Sequence, residues 1–238
     1  MNLVVFGANG KTGRLVTALA LAAGHQVTAV TRRPGEFPLA GRRLTIAGGD
    51  ARDAAAVAPI VKDADAVVSV LGVSFTREVV DTYSVGTRAV VDAMSSAGVR
   101  RLVAVSSTAA YPTRRTKAPR SLRLIEPILT RTIGKTVYDD IRRMETIVRA
   151  SQLDWTIVRP SGLFDLDERT NYVSGDVDPV GAFTARIDLA DYLVALASDS
   201  STAGETVIVS TTEHTPSLWQ VIRHEAGSHQ PAASAAAL

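Results

Sequence analysis

Seven residues near the start of the chain have the composition and spacing of a phosphate-binding turn. They read Gly7-Ala8-Asn9-Gly10-Lys11-Thr12-Gly13, with glycine at the first, fourth and seventh positions. A phosphate group needs a backbone that it can approach closely, free N–H donors and the partial positive charge of a helix N-terminus. Gly7 suits a tight turn, Gly10 leaves room for the phosphates, and Gly13 lets a helix pack on a strand. The sequence therefore predicts a nucleotide phosphate site, and not a Walker A loop, since GxxxxGK[ST] is absent.

The residues after the second predicted strand indicate which nucleotide is bound. A site that binds NAD usually has Asp or Glu about 20 residues beyond the glycines, whereas this chain has Thr31-Arg32-Arg33-Pro34. A guanidinium can bind a 2′-phosphate with two hydrogen bonds, and a carboxylate would repel it. We therefore expect Arg32, and Arg33 beside it, to favour NADP(H) over NAD(H), the alternative being two solvated loop arginines. Asp50 is placed to meet the adenine or to cap a helix.

These residues need a scaffold of alternating strands and helices. Short apolar, β-branched runs predict strands at 2–6, 26–31, 44–47, 66–71, 102–106, 155–158 and 206–209. Helical spacing of apolar residues predicts helices over 11–23, 53–61, 77–97, 137–150 and 188–197. Such alternation predicts an α/β fold, a single doubly wound Rossmann-type domain with a parallel sheet.

Two stretches interrupt this alternation, and each follows a strand. Residues 110–136 are rich in Arg, Lys and Pro, and residues 162–186 are rich in Asp and Gly. We expect both to cover the substrate at the carboxyl edge of the sheet. The basic part, 114–135, is a solvated loop, a lid over anionic groups, or a surface for a partner or nucleic acid. The last is the least favoured, because the aromatic side chains of single-strand binders are missing.

The composition limits the other classes of function. The chain has 238 residues, 46% of them hydrophobic and 21% charged, with a net charge of +2 and no cysteine. We expect one domain over residues 1–226, followed by a frayed tail over 227–238. Disulfides, thiolate metal sites and cysteine nucleophiles are excluded, and no metal site is expected. We expect a cytoplasmic monomer or homodimer that acts on a small-molecule substrate, with neither nucleic acid nor membrane as a partner.

The motifs, taken in order, resemble those of the atypical short-chain dehydrogenase/reductases. The resemblance is to the NAD(P)H-binding branch that includes flavin and biliverdin-IXβ reductases and nitrogen-metabolite-repression-type regulators. It runs from residue 2 to about 210 and rests on the glycine turn and on the segments 30–34, 47–53, 70–72, 97–107, 153–160 and 187–191. As an ordered set, these motifs are specific for the superfamily but not for a substrate.

The resemblance implies a role for each matching position, and every one of them falls at the carboxyl end of a predicted strand, where an open α/β sheet binds its ligands. The implied cofactor contacts are Gly7, Asn9, Gly10, Lys11, Thr12 and Gly13 for the pyrophosphate, Arg32 and Arg33 for the 2′-phosphate, Asp50 and Ala51 for the adenine, Leu71 and Gly72 for the ribose, Ser107 for the nicotinamide, and Arg159 and Pro160 as the closing side of the pocket.

The chain departs from the superfamily at the catalytic dyad. Alcohol-oxidising members use a Tyr activated by a Lys four residues later, but here Tyr138 is followed by Arg142, which cannot join a proton relay. Aligning on Glu145 instead puts Val137 and Ile141 at the two positions. Either way the dyad is missing, and we expect Tyr138 to be a packing or surface residue.

A protein without this dyad can still catalyse a reduction, because solvent can protonate an acceptor that takes hydride from the cofactor. Ser107 could hydrogen-bond the nicotinamide or the acceptor, and Tyr111 could stack on the acceptor or donate a proton. Structural roles at a strand end are the alternative for both. Two functions stay open: an NADPH-dependent oxidoreductase acting on a flavin, quinone or carbonyl compound, with any flavin a substrate and not a bound cofactor, or a non-catalytic NADP(H)-binding sensor that acts through a protein partner.

Overall fold

The computed structural model describes residues 1–111, 132 and 134–216. There the predicted strands and helices follow in the predicted order, with three further short strands within 162–186. The strands are β1 (Asn2–Phe6), β2 (Gln26–Thr31), β3 (Leu44–Gly48), β4 (Ala66–Ser69), β5 (Arg101–Val105), β6 (Asp154–Pro160), β7 (Gly162–Phe164), β8 (Val173–Gly175), β9 (Phe183–Ala185) and β10 (Glu205–Ser210). The helices are α1 (Lys11–Ala22), α2 (Ala54–Val61), α3 (Thr82–Ala97), α4 (Lys135–Ala150) and α5 (Arg186–Ser198).

The central sheet has eight strands in the order β3-β2-β1-β4-β5-β6-β10-β8. Neighbouring strands are parallel except for β8, which runs antiparallel to β10. Helices α1 and α5 pack together on one face, and α2, α3 and α4 pack side by side on the other. The predicted doubly wound α/β fold is confirmed, with the antiparallel edge strand β8 as an addition.

The strands are buried because both faces of the sheet are covered. In β1, Val4 and Phe6 join the core under α2, α3 and α4, while Leu3 and Val5 join the core under α1 and α5. Side chains alternate between the faces of a strand, so a continuous apolar run supplies both cores. All four side chains are at most 3% exposed.

Helix α3 begins at Thr82, five residues later than the predicted start at 77. Its N-cap residue Asp81 makes no side-chain capping bond. The cap comes instead from α4, where the buried Oδ2 of Asp140 accepts hydrogen bonds from the N–H groups of Tyr83 at 2.8 Å and Ser84 at 3.3 Å. This contact spans 57 residues of sequence, so no local pattern could have located the start of the helix.

Replacing Asp140 with alanine should destabilise the protein by about 1.5–3 kcal/mol, the contribution of one charge-assisted hydrogen bond, because the short bond to Tyr83 is lost together with the longer, weaker one to Ser84. For a chain of this size the melting temperature should fall by roughly 3–12 °C. The control is Asp92→Ala, since Asp92 lies exposed on α3. Equal melting temperatures for the two variants would contradict the capping role of Asp140.

The second interruption, 162–186, lies at the carboxyl edge of the sheet. It starts where β6 ends, and within it β8 pairs with the last residues of β10, with Val173 opposite Ser210. The short strands β7 and β9 form a separate parallel pair. Most of the first interruption (112–131 and 133) and the predicted tail (227–238) lie outside the described residues. Within the described ranges, no helix is both long and apolar enough to cross a membrane.

Candidate functional site

The glycine turn joins β1 to α1, and two of its glycines allow no side chain. Gly7 has a φ of +79°, and a β-carbon there would lie 2.5 Å from the carbonyl oxygen of Val70. A β-carbon on Gly13 would lie 2.3 Å from the carbonyl oxygen of Gly7. Gly7 therefore sets the turn against the end of β4, and Gly13 brings α1 close to it.

Gly10 differs from these two glycines because a β-carbon there would lie farther from the backbone, at 3.3 Å from the carbonyl oxygen of Gly7. It is exposed and forms the N-cap of α1, with φ −70° and ψ 161° and no side-chain capping bond. The first N–H groups of a helix have no intrahelical acceptor, so those of Lys11, Thr12 and Gly13 are available to an anion. A dinucleotide pyrophosphate fits this cradle of open backbone and helix dipole.

Two polar side chains of the turn are held by neighbours. Asn9 accepts two hydrogen bonds from Arg14, at 3.0 and 2.7 Å. The Nζ of Lys11 contacts Asp165 at 2.9 Å, and Asp165 also pairs with Arg186 at 2.8 Å. Burial raises the pKa of Asp165, but the two cations outweigh it and hold that pKa below the usual value. The second interruption is thus tied by an ion pair to the glycine turn.

The two arginines after β2 differ in the contacts that their guanidinium groups make. Arg33 pairs with Glu36 at 3.0 Å, whereas Arg32 is exposed and, among the described residues, no hydrogen bond or ion pair holds its guanidinium. Asp50 is engaged by Arg52, whose hydrogen bonds hold the pKa of Asp50 below its usual value; the charge of Arg32 adds to the effect. Arg32 therefore lies near Asp50 and remains available for a ligand.

The two predicted apolar contacts, Ala51 and Leu71, both lie against Gly86 of helix α3. A β-carbon on Gly86 would lie 2.9 Å from Cδ1 of Leu71 and 3.4 Å from Cβ of Ala51. Gly86 thus lets α3 approach the ends of β3 and β4. Gly72 is exposed, with no atom within 4 Å of a β-carbon placed there. The structure brings these predicted positions to one edge, and Gly86 is a contributor that sequence reasoning missed.

The ends of β5 and β6 bring Ser107, Tyr111 and Pro160 to the same edge. Ser107 caps a short 3₁₀ turn, Thr108–Ala110, by accepting a hydrogen bond from the N–H of Ala109 at 3.2 Å. Tyr111 follows this turn and is half-buried. Burial and the negative charge of Glu145 raise the pKa of Tyr111, so its phenol stays protonated at neutral pH. Pro160 is buried at the end of β6.

A buried hydroxyl beside Pro160 has no hydrogen-bond partner in the part of the chain that the structure describes. Ser161 is 4% exposed, and its Oγ has no hydrogen-bond partner among the described residues. Its N–H donates to Thr184 at 3.0 Å. Buried hydroxyls are normally satisfied, so Ser161 joins the candidate site. Sequence reasoning missed it because a serine after a strand has many uses.

Tyr138 and Arg142, the residues at the dyad positions on α4, both make contacts within the protein. Tyr138 is 7% exposed, and its ring lies 5.9 Å from that of Phe75. Arg142 donates to the carbonyl oxygen of Ala110 and to Asp139, both at 2.7 Å. The ring of Tyr138 thus packs in the core, and Arg142 anchors the turn that precedes Tyr111.

Because Tyr138 lies in the core, Tyr138→Phe should keep turnover within roughly threefold of the parent, against a loss of roughly 100-fold for a general acid. The measurement is kcat with whichever acceptor the protein reduces. Tyr111→Phe is the comparison, since Tyr111 lies at the sheet edge, and it should lower kcat more. A 100-fold loss in Tyr138→Phe would show that this hydroxyl takes part in the chemistry.

Comparison with known proteins identifies the family of the chain. A family model described as NAD(P)H-binding matches residues 7–200. A UPF0659 protein of Schizosaccharomyces pombe is 30% identical over 175 residues, which are 68% of this chain and 70% of that protein.

Solved structures share the fold at low identity. The anaerobilin reductase ChuY of Escherichia coli O157:H7 has a TM-score of 0.71 and 23% identity, and the alignment covers 91% of this chain and 100% of that one. A short-chain dehydrogenase/reductase of Veillonella parvula, solved in complex with NADP, has a TM-score of 0.73 and 19% identity over 89% and 95% of the two chains. These structures share the fold, and the family model confirms the resemblance to NAD(P)H-binding proteins.

Proposed function

The chain belongs to the NAD(P)H-binding family, and from that premise we propose that it is an NADPH-dependent oxidoreductase that transfers hydride to a small acceptor. The acceptor is a flavin, a quinone or a carbonyl compound. One observation carries the proposal: a turn that excludes a β-carbon at Gly7 and Gly13 shares its sheet edge with Arg32, which is exposed and makes no hydrogen bond or ion pair among the described residues. A dinucleotide with a 2′-phosphate complements both features.

Each part of the dinucleotide is assigned to a part of this edge. The glycine turn and the N-terminus of α1 bind the pyrophosphate, and Arg32 binds the 2′-phosphate. Ala51 and Leu71, which both lie against Gly86 of α3, line the adenine and ribose side. Ser107 and Pro160 border the nicotinamide. When bound, NADPH supplies the hydride, and the protein positions it.

The residues at the end of β5 serve the acceptor. The Oγ of Ser107 accepts from Ala109, which leaves its own proton for donation. The phenol of Tyr111 is protonated at neutral pH because burial and Glu145 raise its pKa. Both are therefore hydrogen-bond donors toward an acceptor that gains electrons. No Tyr/Lys dyad is required, since the one proton that the acceptor takes besides the hydride can come from Tyr111 or from solvent.

The test compares binding with turnover. NADPH binding is followed by the change in its fluorescence, and NADPH oxidation is followed with a panel of flavins, quinones and carbonyl compounds. We add anaerobilin because one fold neighbour, ChuY, is an anaerobilin reductase. We expect micromolar-range binding and oxidation of NADPH with at least one acceptor. Binding without oxidation on any acceptor would contradict the reductase and favour the redox sensor.

A further inference from the structure

The ring of Tyr111 is covered on one face by the guanidinium of Arg159. The Cζ of Arg159 lies 4.0 Å from the ring centroid, and the arginine side chain is 16% exposed. Tyr111 follows β5 and Arg159 lies near the end of β6, and these strands are neighbours in the sheet. A stacked guanidinium attracts the face of a tyrosine and limits its rotation. One face of the ring is thus fixed, at the edge where the nicotinamide is assigned.

Arg159 is itself held by a buried carboxylate. Its Nε donates to Oε1 of Glu145 at 2.8 Å, and its Nη2 donates to Oε2 at 2.6 Å. Glu145 is 0% exposed and also accepts from Ser106 at 2.5 Å and Arg149 at 3.2 Å. Burial raises the pKa of Glu145, but these hydrogen bonds outweigh it and keep the pKa below the usual value. The carboxylate therefore stays charged and holds the planar guanidinium in one orientation.

The backbone before Tyr111 is fixed from the same helix. Arg142 on α4 donates from Nε to the carbonyl oxygen of Ala110 at 2.7 Å. One helix therefore controls both the turn, through Arg142, and the ring, through Glu145 and Arg159. A buried ion pair contributes little net stability compared with apolar packing, so fixing the orientation of a neighbour is a better reason for its presence.

We propose that Glu145 and Arg159 are positioning residues that hold the phenol of Tyr111 against the acceptor during hydride transfer. The inference rests on the proposed reductase function. One atom of the acceptor gains hydride from NADPH, which leaves as NADP⁺, and a second atom takes the phenol proton. The phenolate, stabilised by Arg159, regains a proton from solvent. The acceptor thus gains two electrons and two hydrogens.

The first test separates positioning from charge. Arg159→Lys keeps the positive charge but loses the planar fork and the stacking, so kcat should fall about tenfold while the affinity for NADPH stays within about twofold. The matched control is Arg100→Lys, since Arg100 also forms a fork with a carboxylate, Asp154, at 3.0 and 2.9 Å, but at the opposite edge of the sheet. Its kcat should match that of the parent. Equal kcat in the two variants would overturn the proposal.

The second test follows the phenol directly. In protein labelled with ¹³C at Cζ of tyrosine, the resonance missing from Tyr111→Phe identifies Tyr111, and its titration gives the pKa. Charges of Glu145, Arg159, Arg149 and Arg142 act on this phenol. Glu145→Gln should therefore lower the pKa of Tyr111, and Arg159→Met should raise it. Shifts in the same direction, or none, would overturn the contact between the pair and the phenol.

Arg159→Met leaves Glu145 buried without its main partner and can fail to fold. The double variant Glu145→Gln with Arg159→Gln removes both charges; the pKa of Tyr111 should then return toward that of the parent, while kcat stays about tenfold lower. The two proposals fail in different ways. A parent protein that binds NADPH but reduces no acceptor overturns both, whereas normal kcat in Arg159→Lys overturns the positioning role alone.

Discussion

Replacing Gly10 with valine is expected to weaken NADPH binding by roughly 100-fold or more, which corresponds to about 2.8 kcal/mol, while the protein stays folded. The backbone of Gly10, with φ −70° and ψ 161°, is open to any residue. A β-carbon there would lie 3.3 Å from the carbonyl oxygen of Gly7, a contact that a shift of a few tenths of an ångström in the turn would relieve. The branched side chain would project over the N-terminus of α1, where the pyrophosphate is assigned.

The measurement is a fluorescence titration with NADPH, together with a thermal unfolding curve. The control is Gly41→Val, because Gly41 is exposed and a β-carbon added to it would meet no atom within 4 Å among the described residues; it should bind NADPH like the parent. By contrast, Gly7→Val and Gly13→Val should lose stability, because their β-carbons would overlap backbone atoms. Undiminished affinity in a folded Gly10→Val protein would remove the glycine turn from the binding site.

The regular part of the fold could be predicted from the sequence because its signals are local. The strands at 2–6 and 26–31 have the predicted bounds, since a strand covered on both faces is a continuous apolar run between turn residues. The strands within 162–186 were not predicted, because three residues are too few to show a period. The start of α3 was also misplaced, because Asp140 sets it from another helix.

The candidate site likewise contains residues that could be predicted from the sequence and residues that could not. The glycine turn and Arg32 could be found because each lies within a few residues of a strand end. The ion pair of Glu145 and Arg159 could not, since it joins α4 to β6 through side chains whose orientations depend on the folded structure. Ser161 likewise stands out only because its hydroxyl is buried and lacks a partner among the described residues.

Cofactor preference provides the other large expected effect. Arg32→Ala should reduce the preference for NADPH over NADH by roughly 10-fold to 150-fold, since a charge-assisted hydrogen bond contributes about 1.5–3 kcal/mol. Arg32 is exposed and unpaired among the described residues, whereas Arg33 is paired with Glu36 at 3.0 Å. Arg33→Ala should therefore have the smaller effect of the two.

The preference is the ratio of the affinities for NADPH and NADH, measured for each variant, so that general damage to the fold cancels. Arg42→Ala is the control for loss of one positive charge, because Arg42 is exposed near the amino end of β3, at the opposite edge of the sheet. The double variant of Arg32 and Arg33 should lose more than either single variant, since Arg33 can swing into the vacated site. Equal weakening of both cofactors in Arg32→Ala, or a parent that prefers NADH, would contradict the assignment. Thr31, at the end of β2, and Asp50 would then be the residues that select the cofactor.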